Sequence, residues 1–153
     1  MKNQNGGCMM ENNDTIRLLK ECDAGTKMAV TSINDVLDNL KDANMKELMK
    51  KSKENHEKLG NDIHAVLIQY NSEEKEPNAM AKSMSWIKTN MKLAMDDSDK
   101  TIADLLTDGC NMGIKSLYKY KNQYPAAESN VVSLCDALIE IEKELRRDLR
   151  AYL

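Results

Sequence analysis

The chain has 153 residues, a length that suits one domain with a sizeable core. Charged residues make up 31% and hydrophobic ones 41%, and a net charge of -3 comes from 22 basic and 25 acidic residues interleaved along the chain. That balance excludes a disordered polyelectrolyte and gives no general attraction to nucleic acid or to an anionic membrane.

The longest apolar runs are only a few residues, too short to span a bilayer. The opening MKNQNGGCMM lacks the apolar stretch of a signal peptide, so the expected location is the cytoplasm. With no Phe, one Trp, eleven Met and only two Pro and six Gly, the chain is expected to be all-α.

In chain order, residues 1–12 read as a disordered tail and 13–153 as a single helical domain. Asn13 or Asp14 suits the cap of a first helix, whose apolar stripe is Ile16, Leu19, Cys22, Thr26, Ala29/Val30, Ile33, Leu37 and Leu40. The break falls in KDAN (41–44), where Asn44 and Glu47 resemble a capping box. The second helix runs to about Tyr70 with the stripe Met45, Met49, Ser52, His56, Leu59, Ile63, Val66 and Tyr70.

The polar, Pro-containing stretch NSEEKEPN (71–78) reads as a connection. A shorter helix then places Met80, Met84, Ile87, Met91 and Met95 on one side, with Trp86 beside them to dock it. The methionine row reads as core filler, the alternatives being a thioether copper site or an adaptable partner face. DDSD (96–99) can cap the next helix, to about Gln123, and Pro125 fits the first position of the last. The last stripe is Leu134, Leu138, Ile141, Leu145, Leu149 and Tyr152. Four long helices of roughly 25 residues, each about 37 Å, predict an antiparallel four-helix bundle with a short extra helix between the second and third.

GTKMAVTSI (25–33) matches GCNMGIKSL (109–117) in its Gly, Met and Ser, which suggests a helix pair repeated twice. Glycine inside a helix costs on the order of 1 kcal/mol against alanine, so its use here points to a packing demand, expected where the first and third long helices face each other.

Three segments carry a resemblance: CDAG (22–25), PNAMAKSMSWIKTNMKLAMDDSDKTI (77–102) and DGCNMGIKSLYKY (108–120). Over roughly residues 14–152 the chain resembles the ferritin-like superfamily and, more closely, a bacterial ferritin-like family of single-domain proteins without an assigned role. Di-iron members of that superfamily need a Glu from each of two helices and Glu-x-x-His from each of the other two. Here Lys53 precedes His56 and Asn61 precedes His64 by three, the last helix has no His, and Thr26 and Cys110 stand where the resemblance implies glutamates. The di-iron ligands are therefore expected to be lost, and no metal or cofactor is expected.

What remains is a weakly polar layer of Thr26, Ser52, His56 and Cys110. The bland reading is a hydrogen-bonded core histidine beside a thiol acting as a small hydrophobe. The alternative is an atypical site for iron or copper from His56 and Cys110. His64 lies off the stripe and reads as partly exposed. Asp104/Asp108 and Glu140/Glu144 could each act as a pair, but neither has a base, nucleophile or phosphate loop nearby. Cys8, in the tail, is expected to be exposed, and Cys22, Cys110 and Cys135 to be buried free thiols. The leading expectation is a non-enzymatic structural or interaction protein that self-associates or binds a protein partner; the alternative is a metal-binding or redox protein.

Overall fold

The computed structural model describes residues 13–70 and 85–153. The expected tail 1–12 with Cys8, the connection 71–78, and Met80 and Met84 of the methionine row lie outside the described residues. Among the described residues there are five α-helices and no strand: α1 (Asn13–Leu37), α2 (Ala43–Gln69), α3 (Trp86–Ala94), α4 (Asp99–Gln123) and α5 (Ser129–Leu149), closed by a 3-10 turn at Arg150–Tyr152. No described helix is long and apolar enough to cross a membrane.

Each boundary has a local chemical cause. Asp42, not Asn44, caps α2: its carboxylate accepts from the Met45 N–H at 2.8 Å. An acceptor one residue outside the helix reaches the second or third amide, and Asp42 sits at that distance. Ser98 caps α4 by accepting from the Thr101 N–H, and Ser85 caps α3 by accepting from that of Lys88. Pro125 does not open the last helix. It lies in the turn before it, and α5 begins at Ser129 after Glu128, which caps with no side-chain bond.

The helices pack as a bundle around two apolar clusters. One, toward the N-terminus of α1, gathers Leu18, Leu19, Cys22, Ile63, Leu67, Val131, Cys135 and Leu138 among others. The other, toward its C-terminus, gathers Ile33, Val36, Met45, Met49, Ile87, Ile102, Ala103 and Leu149. α1 packs most extensively on α2, and α4 on α5.

Polar clasps hold both ends. At one, the Lys41 and Asp42 N–H groups donate to the two oxygens of Asp99 at 2.9 and 2.8 Å, and Asn39 donates to Asp97. At the other, the Ala126 N–H donates to Asp14, the Glu128 N–H to the Thr15 hydroxyl at 2.8 Å, and the Tyr70 hydroxyl to Glu128. Burial and the Glu128 charge push the Tyr70 phenol up to about 12.

The short helix docks through its first turn: Ile87 is buried, and Trp86 and Met91 pack partly against the second cluster. Met95 is not on that packed side. It is 91% exposed and adopts a left-handed backbone (φ 54°) as the C-cap of α3, a conformation that costs a non-glycine residue on the order of 1 kcal/mol.

The glycines of the two matched segments do not face each other. A Cβ on Gly25 would stand 3.4 Å from Leu138 of α5, one on Gly113 3.3 Å from a Glu142 oxygen of α5, and one on Gly109 3.9 Å from the Trp86 ring. Only at Gly113 is the space tight, and the neighbour there is Glu142 of α5; at Gly25 and Gly109 a Cβ would make ordinary contacts.

Candidate functional site

The bundle's polar layer lies between the two apolar clusters. α2 presents Met45, Met49, Ser52, His56, Leu59 and Ile63 inward, at alternating spacings of four and three. α5 presents Val131, Cys135, Leu138, Glu142, Leu145 and Leu149 at the same alternation. Leu134 and Ile141, expected in the stripe of α5, are only partly buried. Leu138, Leu145 and Leu149 are buried as expected, but Cys135 and Glu142 take the inward places expected for Leu134 and Ile141, which brings Glu142 into the core. The two helices run in opposite directions, Met45 and Met49 sharing one cluster with Leu145 and Leu149 and Ile63 sharing the other with Val131 and Cys135, so His56 and Glu142 both fall between the clusters.

His56 is fully buried and both its nitrogens are engaged. Nδ1 lies 2.8 Å from the Ser52 carbonyl oxygen, which can only accept, so Nδ1 carries a proton and donates it. Nε2 lies 2.5 Å from Oε2 of Glu142. Burial pulls the His56 pKa down, but the hydrogen bond and charge of Glu142, with the Ser52 carbonyl, outweigh it and raise the value above the usual 6.5. Both contacts favour the protonated ring, with Glu142 as its partner across the core.

The other polar residues complete the layer. Thr26 and Cys110 are buried as expected. The Thr26 hydroxyl donates to the Asp23 carbonyl one turn back, at 2.9 Å, and is the atom closest to a Cβ on Gly60. The Cys110 thiol lies against Glu142; burial first, and then that carboxylate, push its pKa up. It stays a neutral thiol. Asp23, within the CDAG segment, is itself buried and pairs with Lys27 at 3.2 Å.

Ser52, His56 and Glu142 stand in line, the residue types of a hydrolase triad, yet the chemistry is blocked. The Ser52 hydroxyl is 3.4 Å from Nδ1 of His56, on the nitrogen whose proton is already held by the Ser52 carbonyl. That nitrogen offers no lone pair, so Ser52 has no general base. The shallow groove between α2 and α5 that reaches Ser52, lined among the described residues by Leu48, Ile141 and Leu145, has room for only a couple of waters.

A metal meets the same obstacle. Both nitrogens of His56 are held in hydrogen bonds and burial keeps the Cys110 thiol protonated, so a metal would have to displace these contacts and their protons. His56 and Cys110 both face one carboxylate, that of Glu142. Among the described residues no group of three or more His, Cys, Asp or Glu is placed to hold a metal ion. His64 is partly buried off the main seam, as expected. Asp104 and Asp108 are exposed, and Glu140 and Glu144 are engaged with Lys143 and Arg147 instead of each other.

Glu142 and Asp23 are the charged core residues that sequence reasoning missed, as it missed the buried hydroxyls of Thr15 and Ser85. For Glu142 a signal existed in the strict four-three alternation of α5; the apolar Ile141 beside it masked the register. Asp23 has no such signal, because its burial depends on how α1 sits among its neighbours. Comparison with known protein-family models, characterised protein sequences and solved structures found no match to this chain.

Proposed function

We propose that this chain is a ferritin-like antiparallel four-helix bundle that works in the cytoplasm as a non-enzymatic structural or protein-interaction module and associates with copies of itself. The polar clasps support the topology: α1 starts, α2 ends and α5 starts at one end, while α1 ends and α2 and α4 start at the other. A ferritin-like bundle, with its long connection between the second and third long helices, has that arrangement.

The observation that carries the non-enzymatic reading is the state of His56. The one imidazole in the core spends both nitrogens on Ser52 and Glu142, and a buried ion pair without a cleft serves packing and register rather than turnover. Support for association comes from α3, where Leu93 (77% exposed) and Met95 (91% exposed) are large apolar residues open to solvent at the end of the helix.

The rival reading, a metal-handling or redox protein using iron or copper, draws on the imidazole, carboxylate and thiol that share the mid-bundle layer. Elemental analysis of natively purified protein, followed by Fe(II) and Cu(I) titration and sedimentation velocity, separates the two. The expected outcome is no stoichiometric metal and a concentration-dependent oligomer. A tightly held equivalent of iron or copper overturns the leading reading, and a monomer at every concentration removes self-association.

A further inference from the structure

α1 and α5 lie side by side and point the same way, in a fixed register. The Glu128 N–H meets the Thr15 hydroxyl, a separation of 113 residues. Leu138 meets Gly25, again 113 apart, at 3.4 Å from where a Cβ would stand. Between these two contacts, at the same separation, stand Cys22 and Cys135. Gly25 and Leu138 are one turn beyond them.

Both thiols are fully buried, free and members of one apolar cluster. We propose that Cys22 and Cys135 are a disulfide-forming pair: an oxidation site that, on exposure to a peroxide, links α1 covalently to α5. A small neutral oxidant is the chemical class the site admits, because the sulfurs are reached only through brief local opening of the bundle.

The two sulfurs are not equivalent. The Cys135 thiol lies 4.0 Å from the Leu117 carbonyl. The nearness of Cys22 lowers the pKa of Cys135, which burial opposes and the charge of nearby Lys121 reinforces. The nearness of Cys135 and burial raise that of Cys22. Cys135 is therefore the first to react and Cys22 the resolving thiol.

The Cys135 thiolate attacks one peroxide oxygen, the O–O bond breaks, and the leaving hydroxide takes a proton to become water. The Cys22 sulfur then attacks the sulfenic sulfur, the S–O bond breaks, and the second oxygen departs as water with the proton of Cys22. In sum, two thiols lose two electrons and two protons and one peroxide becomes two waters.

The test uses the reduced, folded full-length chain with one equivalent of hydrogen peroxide, alkylation in denaturant, and non-reducing peptide mapping. The principal product expected is the peptide pair joined through Cys22 and Cys135, with both thiols lost in step, and dithiothreitol restoring them. The linked chain should melt higher by about 10 °C, because the link closes a long loop. In Cys22→Ala the melting shift disappears, and Cys135 halts at the sulfenic acid, trapped by dimedone. Should that variant not fold, the mapping of the natural chain decides alone. The proposal is overturned if Cys22 and Cys135 stay alkylatable while Cys8 or Cys110 oxidises, if Cys135 goes to the sulfinic acid with Cys22 intact, or if the link forms only in urea.

Discussion

The core imidazole of His56 shows how a polar residue survives in a helical interior. Desolvating an ion costs several kcal/mol, and the cost is offset only if every donor finds an acceptor. His56 meets that condition with the Ser52 carbonyl on its own helix and with Glu142 on another. Removing one partner leaves the other buried and unmatched, whereas removing both leaves an apolar layer. Glu142→Leu is therefore expected to destabilise the fold by about 3 kcal/mol, and His56→Leu/Glu142→Leu to recover most of that loss. Urea denaturation of the two single variants and the double variant measures the coupling; strictly additive losses would show that the pair is not a unit.

At the scale of the helix, the glycines separate propensity from packing. Every helical glycine forfeits on the order of 1 kcal/mol relative to alanine. At Gly109 a Cβ meets the Trp86 ring at an ordinary 3.9 Å, so Gly109→Ala is expected to stabilise by about 0.5–1 kcal/mol. At Gly113 the Cβ meets Oε1 of Glu142 at 3.3 Å, and Glu142 cannot retreat without loosening His56. Gly113→Ala is expected to destabilise despite the gain in helix propensity. Thermal melts of the two variants, which should move in opposite directions, check the assignment. Met95 is the converse case, a bulky residue in a left-handed cap where glycine would sit more easily.

For the molecule as a whole, the buried pair couples stability to pH. The His56 pKa is raised on folding from 6.5. The folded state thus holds the proton more tightly than the unfolded chain, and the associated stabilisation is fully present below pH 6.5. It is lost as pH rises through the folded value. The groups facing His56, namely Ser52, Glu142 and Cys110 beside it, retain their contacts in the natural chain. The melting temperature is expected to fall as pH rises from 6.5, and the His56→Leu/Glu142→Leu variant, which keeps His64, should lack that component. Equal pH slopes for the two proteins would refute the linkage.

The amino-acid sequence by itself determined the helical class, the rough span of each helix, the polar interruption at Ser52 and His56, and the burial of Thr26 and Cys110. These follow from local propensity, capping side chains and the spacing of apolar residues, all of which act within a few turns of chain. What only the tertiary structure decided is which faces meet. Glu142 became the partner of His56 because the seam of α5 is set by the helices it packs on, and one residue of rotation moves a side chain by about 100°. The same long-range register placed Cys22 beside Cys135 and aimed the glycines at α5 and Trp86. Such contacts join residues on different helices, beyond the few turns over which local preference reaches.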